Sequence, residues 1–381
     1  MDAKKYYFDY TANTPLDPQV RQTLAGFYAD HFGNSAGIHR FARDMKAHLD
    51  EARAYFARFI GAKSSEIVFT ASATESNNTV LKGLVRHYPD KKHILISAIE
   101  HASVYNTARV LRESGFEVEE IPVNTDGSVS PEEVKNRIRP DTLLVSVMWV
   151  NNELGSITPI GEIGKICRAQ GALFHCDAVQ GFAKMPLNVH KMSIDFLTAS
   201  AHKIYGPIGV GLLFIREGLK LEPLLHGGGH ENGLRSSTVN VPGIVGFRQA
   251  VEIYERNHQK EWQRVSEFRQ QLLSFIQNEI DGSRINSPAN GIPHIINCSF
   301  DKVNGELLAI ALDKQGIAVS TGSACSSGKI IKSRVLGAID VPMNFQAGTI
   351  RISLGRYTTQ EETDYLKEQL KQAVNKVRKI S

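Results

Sequence analysis

Cysteine is scarce in this chain: Cys167, Cys176, Cys298 and Cys325 are the four among 381 residues. No C-x-x-C pair or zinc-like spacing joins them, so neither a disulfide framework nor a metal ligand set is encoded, and a reducing, cytoplasmic compartment is expected. Long hydrophobic runs are missing as well. None approaches the roughly 18 residues of a membrane-spanning helix, and the stretch from Met1 to Asp9 meets an acid before any signal-peptide core forms. Neither export by a visible signal nor membrane insertion is expected. Charge of one sign is also lacking: 44 Lys and Arg against 40 Asp and Glu leave a formal +4. Without a block of like charges or a basic-aromatic stripe, the chain has no electrostatic footprint for nucleic acid or a membrane surface. A small anionic ligand remains compatible with it.

What is present is length enough for one large unit and a smaller one, each with a core of its own, at roughly 150 residues per domain. From about residue 66 short β-rich runs alternate with helix-like stretches: Ile67 to Phe69, His93 to Ser97, Phe116 to Val118, Leu143 to Met148, Ala172 to Cys176, Ile194 to Leu197 and Gly211 to Ile215. Most of these runs are apolar on both faces and need cover on both sides. Segments such as Pro131 to Ile138 and Ile160 to Gln170 suit crossover helices. The pattern predicts an α/β fold, a mainly parallel seven-stranded sheet in an αβα sandwich, with the last run pairing antiparallel. Residues 247–280 read as a long amphipathic helix bridging into a smaller α+β domain. That domain holds Ile295 to Phe300, a helix-like Gly305 to Lys314, a strand-like Thr349 to Leu354 and a terminal helix from Thr359. The division expected is 15–258 for the large domain, with 1–14 and 259–381 forming the small one. The extended N-terminus is expected to join another element or a partner subunit.

In an open parallel sheet, ligands gather where strands end and helices begin. The run Thr70 to Asn78 follows a strand and enters a helix, placing Ala73, the Thr74 hydroxyl and free backbone N–H groups where a phosphate can dock. An ordinary N-cap with a capping box, Ser72 and Glu75, explains the same residues. Later strand ends carry His101, Asn152, Asp177 with Gln180, and Ser200 with His202 and Lys203. Singly, His101 reads as a helix-start residue, Asp177 as a cap and Lys203 as a surface lysine. Together they place an imidazole, an amide, a carboxylate and an amine on successive strand ends. A Schiff-base lysine, a carboxylate for a pyridinium nitrogen and a phosphate cradle are what a pyridoxal phosphate enzyme requires. A nearby imidazole such as His101 suits ring stacking and proton shuttling.

A second concentration is Ser320 to Gly328, small and polar, with Cys325 inside it. Such a segment suits a mobile nucleophile, though a chance loop cysteine fits too. Cys167, Cys176 and Cys298 lie in apolar or helical surroundings and read as structural thiols. Arg351 and Arg356, near a strand end, offer guanidiniums for a substrate carboxylate, with surface solvation as the alternative.

In order along one chain, these motifs resemble the NifS/IscS-like cysteine desulfurases of the fold-type I, class V pyridoxal phosphate enzymes. The resemblance spans nearly the whole chain, from Asp9 to Pro15 through Gly33-Asn34, His39, Glu100-His101, Asn151 to Gly155, Asp177 to Gln180 and Ser200 to Pro207. It continues with Gly227 to Glu231, Arg235 to Thr238 and Gly322 to Cys325, and closes at Arg351 to Thr359. It implies pyridoxal 5'-phosphate carried by Lys203, with Asp177 on the pyridine nitrogen, Gln180 on the phenolic oxygen and His101 over the ring. It further implies a phosphate held by Ala73, Thr74, Ser200, His202 and Thr238 of the partner subunit, hence a homodimer. Asn152 and Arg351 would orient the substrate, with Arg356 in reserve. L-cysteine would become L-alanine, leaving a persulfide on Cys325 for an iron–sulfur scaffold or another sulfur-acceptor protein. The 26 positions from Cys325 to Arg351 match the longer catalytic loop of the NifS/IscS group. A selenocysteine lyase or other class V lyase is the rival within enzymes, and an inactive sulfur-pathway scaffold the rival outside them. The chain departs from the family pattern at Tyr10, Ser35, Ser72 and Ser237, the last standing where the family carries Gly.

Overall fold

The computed structural model describes residues 5–88, 90–321 and 333–380. Its centre is a seven-stranded sheet in the order Ile67–Thr70, Gly211–Ile215, Phe196–Ser200, Leu173–Asp177, Thr142–Ser146, His93–Ser97 and Glu117–Ile121. Only Gly211–Ile215 runs against its neighbours, pairing antiparallel with strands on both sides, as the lack of a long crossover before it requires. The five strands between the edges are buried at nearly every position. The edge strand Glu117–Ile121 instead buries only Val118 and Ile121 and leaves its three glutamates partly or fully exposed, as a strand at the sheet's margin does. The fold class expected from the sequence is the one observed.

Helices cover both faces. Ile160–Gln170 ends at Gly171 in the left-handed region, φ 73°, as a C-terminal glycine cap does. The long helix begins at Val241, six residues before the point suggested by the hydrophobic period, and runs to Glu279. The reason is local: the Asn240 side chain accepts from the Gly243 N–H, and a proline occupies the first turn, where its missing donor costs nothing. Two helices that the strand-helix rhythm did not announce, Pro18–Asp30 and Arg40–Ile60, precede the first sheet strand and lie against the long helix.

The long helix joins two cores. Val241, Ile244, Phe247, Val251 and Tyr254 pack into the core around the seven-stranded sheet. Val265, Phe268, Leu272 and Ile276 pack into a second core with Phe300, Leu308, Ile352 and Leu370. The smaller unit is a three-stranded antiparallel sheet, Thr349–Ser353, Ile295–Phe300 and Ser283–Ile285, covered by Gly305–Asp313 and Gln360–Arg378. Ser283–Ile285 was not foreseen; three residues with one apolar side chain carry no periodicity. The extended N-terminus does join other elements: Tyr6–Tyr7 pairs with Ile317–Ala318, and Asp9 bridges to Ser353.

Candidate active site

Because the strands are parallel, Thr70, Ser97, Ser146, Asp177 and Ser200 finish at one edge of the sheet, and the chemistry-bearing side chains collect there. Gly211 starts the antiparallel strand at the same edge. A Cβ on it would lie 2.6 Å from Thr70 Oγ1 and 2.8 Å from the Ser72 carbonyl carbon, so only glycine lets the first helix start come this close. The result is a cavity of about 430 Å³, lined among others by Ala73, Thr74, His101, Asn152, Asp177, Gln180, His202, Lys203 and Arg351. That volume lies in the range of small-molecule sites.

Asp177 is buried at the end of its strand, and its Oδ2 accepts from Asn77 Nδ2 at 2.8 Å. Asn77 Nδ2 also donates to Ser103 Oγ at 2.9 Å, and Ser103 Oγ meets His101 Nδ1 at 2.8 Å. The Ser103 backbone N–H donates to the same His101 nitrogen. With Nδ1 occupied as an acceptor, the proton of a neutral His101 sits on Nε2. Asn77 and Ser103 thus link the acid and the imidazole, and neither was singled out from sequence. Asn77 stood in the polar run after the first strand, four residues past Ala73, the spacing that puts two helical residues on one face.

Lys203 follows Phe196–Ser200 on a single 3-10 turn, Ala201–Lys203. Its Nζ donates to the carbonyls of Thr11, at 2.8 Å, and Ala12, at 2.6 Å, and Gln180 Nε2 donates to the Thr11 carbonyl as well. Thr14 holds the same turn by accepting from Tyr205 N and donating to the His202 carbonyl. The N-terminal segment is therefore a wall of the site. Burial, then the nearby Arg351 cation, lower the Lys203 amine to about 8. His202, bonded through Nδ1 to Ser200 Oγ at 2.8 Å, is pushed down to about 4 by burial and by Lys203, so it is neutral near pH 7. Ser200 reaches the site through His202 and is not itself among the cavity's lining residues.

At the helix start, Ser72 Oγ accepts from Glu75 N at 3.2 Å, completing the expected cap. The other half of the capping box is absent. Glu75 turns its carboxylate to Ala71 N and to Arg235, whose Nε lies 2.9 Å from Oε1. This half-buried ion pair draws the carboxylate away from the Ser72 N–H and leaves the Ala73–Thr74 N-terminus facing the cavity.

The two arginines separate. Arg351 lines the cavity, with one terminal nitrogen 2.7 Å from Asp9 Oδ1 and the other donating to the Asn152 carbonyl at 3.0 Å; its Nε is buried without a partner. Its backbone pairs with Ser320, the residue bordering the cavity just before the segment that carries Cys325. Arg356 is not a lining residue. It is held by Asp17 at 2.7 Å and Glu261 at 2.9 Å and lies over the Tyr205 and Tyr254 rings, so its reserve role as a substrate ligand is replaced by a structural one. Thr238 is exposed and lies away from this chain's own cavity. Cys325 lies outside the described residues. The other three cysteines are buried, with thiols pushed upward by burial, Cys298 to about 12, as inert thiols are.

The family described as aminotransferase class-V matches residues 6–366. Cysteine desulfurase IscS of Dictyoglomus turgidum is 43% identical over 380 residues, covering 99% of this chain and 96% of its own. The chain belongs to the cysteine desulfurases of the class-V aminotransferase family. Cysteine desulfurase IscS 1 of Archaeoglobus fulgidus is 41% identical over 98% of both chains. Among solved structures, a NifS-like protein superposes with a TM-score of 0.92 at 36% identity, over 98% of this chain and 100% of that one. SspA, solved in complex with cysteine, gives 0.83 at 36% identity over 93% of this chain and 100% of its own. Among the described residues, no helix of this desulfurase is long and apolar enough to cross a membrane.

Proposed function

We propose that this desulfurase binds pyridoxal 5'-phosphate in the cavity at the sheet edge and uses Cys325 to take sulfur from L-cysteine. The observation that carries this reading is the convergence of Lys203, Asp177, His101 and Arg351 on one cavity bordered by Ser320. The donor set fits the cofactor: a buried carboxylate for a ring nitrogen, a helix N-terminus for a phosphate, and an amine that titrates near 8 for its carbonyl carbon. When bound, the cofactor supplies the electron sink that makes the substrate's Cα–H and Cβ–S bonds labile.

The protein's own groups do the rest. Lys203 Nζ, neutral above about pH 8, would hold the cofactor, and as a free amine it can accept a proton. Asp177, oriented by Asn77, would keep the cofactor's ring nitrogen protonated. His101, with its Nε2–H available to donate, would stack on the cofactor ring, and Gln180 would bond its phenolic oxygen. Ala73, Thr74 and His202, the last positioned by Ser200, together with Thr238 of the partner subunit would hold the phosphate in a homodimer. Arg351 takes the substrate carboxylate, supported by Asp9, and Asn152 orients the amino acid beside it. The Cys325 thiolate attacks the substrate sulfur; an S–S bond forms and the Cβ–S bond breaks. Cβ keeps the bonding pair and takes a proton, giving L-alanine and a Cys325 persulfide for an iron–sulfur scaffold or another acceptor. The large unit is proposed to span 15–258, with 1–14 and 259–381 forming the unit that carries Cys325.

Purified protein supplied with pyridoxal phosphate and L-cysteine should show the cofactor's visible absorbance and form alanine. Cys325→Ser should keep the absorbance and lose alanine formation at least a hundredfold. Undiminished turnover in that variant would overturn the persulfide route.

A further inference from the structure

We propose that His31, Asp44 and His48 form a binding site for a borderline divalent transition ion of the Zn²⁺ class, separate from the catalytic cavity. His31 is the C-cap of Pro18–Asp30, while Asp44 and His48 sit four residues apart on one face of Arg40–Ile60. One ligand atom from each, two imidazole nitrogens and a carboxylate oxygen, lies within 4.8 Å of the others. His31 Nδ1 is 2.6 Å from Asp44 Oδ2, and His48 Nε2 is 3.9 Å from Asp44 Oδ1. The second distance is too long for a hydrogen bond.

The three ligand atoms lie close enough together for small side-chain adjustments to seat an ion among them. Donors about 2.0–2.1 Å from a tetrahedral zinc stand about 3.4 Å apart. Asp44 turns one carboxylate oxygen to each imidazole, Oδ2 to His31 and Oδ1 to His48, and an ion held among the three takes the place of the His31–Asp44 hydrogen bond. Phe27 fixes the ring positions, with centroids 4.7 Å from His31 and 5.0 Å from His48. The three side chains are 30, 46 and 32% exposed, which leaves an entry path and room for a water as fourth ligand. Two imidazoles with one carboxylate select zinc, cobalt, nickel or copper over calcium and magnesium, which demand oxygen ligands. None of the three residues lines the catalytic cavity. A bound ion clips the end of the first helix to the second and fixes the connector between them.

The test is calorimetric titration of ZnCl₂ into chelator-treated holoprotein carrying Cys325→Ser, which removes the thiol proposed as the nucleophile. One ion per chain is expected, with affinity lowered at least tenfold by His48→Ala and by His31→Gln, and MgCl₂ is expected not to compete. Zinc should raise the melting temperature of the parent and leave that of the variants unchanged, while their melting temperatures without zinc match the parent and show that they fold. If His48→Ala fails to fold, His31→Gln carries the same comparison. Absence of stoichiometric zinc binding, binding indifferent to both substitutions, or equal binding of magnesium would overturn the proposal and leave a hydrogen-bonded cluster only.

Discussion

Lys203 and Lys184 are two amines enclosed near one another with little water to solvate their charge. Lys184 is buried beside Tyr205 and His294, and burial, followed by the Lys203 cation, lowers it to about 8 as well. Both unfolded-state values lie near 10.5, so below about pH 8 each folded amine bears the cost of a buried charge, and above 10.5 neither does. The unfolded chain binds more protons between these limits, and stability rises with pH there. Denaturant unfolding of the cofactor-free protein should show stability increasing from pH 8 to 10, and Lys184→Met should remove about half of that slope. Arg351 allows a second test at this scale. Its planar fork matches a carboxylate in a way an ammonium does not, so Arg351→Lys should raise KM for cysteine at least tenfold while kcat falls less. An equal fall in kcat and kcat/KM would show that Arg351 acts in the chemical step instead.

Among the elements, the segment from Gly227 to Thr238 combines several unusual backbone angles with a firm anchor. Glu231, at φ 49°, accepts both guanidinium nitrogens of Arg53 and the Phe69 N–H. Ser237, where the family resemblance leads one to expect glycine, stands at φ 127°, a region that costs a side-chain-bearing residue about 1–3 kcal/mol. Ser237→Gly removes that strain and adds about 0.5–1 kcal/mol of unfolded-state entropy. The net expectation is a gain of about 1 kcal/mol, read as a higher denaturant midpoint with an unchanged m-value. The strands around the site were legible because their apolar runs are continuous, and helices such as Ile160–Gln170 because a glycine or a cap marks their ends. The helices Pro18–Asp30 and Arg40–Ile60 were not anticipated. Arg40–Ile60 does carry an apolar stripe, Ala42, Met45, Leu49, Ala52, Phe56 and Ile60, which the strand-helix rhythm beginning at residue 66 passed over, whereas Pro18–Asp30 buries only Val20 and Phe27 and is held by tertiary contact with the long helix.

At the scale of the molecule, Arg356 ties the parts together. It bridges Asp17, ahead of the first helix, and Glu261, midway along the helix shared by both cores, while covering the Tyr205 ring next to the Lys203 turn. Removing one member of such a buried network strands the others, at a cost of about 3–5 kcal/mol. Arg356→Met should therefore lower the denaturant midpoint strongly, and a Glu261→Gln background should shrink the effect by more than 1 kcal/mol, since contacting residues are not additive.

The residue types of the site were legible along the chain because each requirement of the chemistry has its own signature: an amine, a carboxylate and an imidazole after successive apolar strands, and a helix start rich in small polar residues. Those signatures are local, and so are strand order-of-appearance, caps and periodicity. Which of two arginines five positions apart faces the cavity was not local. Arg356 is claimed by two carboxylates, Asp17 and Glu261, away from the cavity, whereas Arg351, paired with Asp9 alone, stays in the cavity wall. The Asn77–Ser103 link, the Lys203 grip on Thr11 and Ala12, and the meeting of His31 with Asp44 and His48 have the same origin. Each joins groups whose separation along the chain carries no periodic or motif signal, and packing alone brings them together.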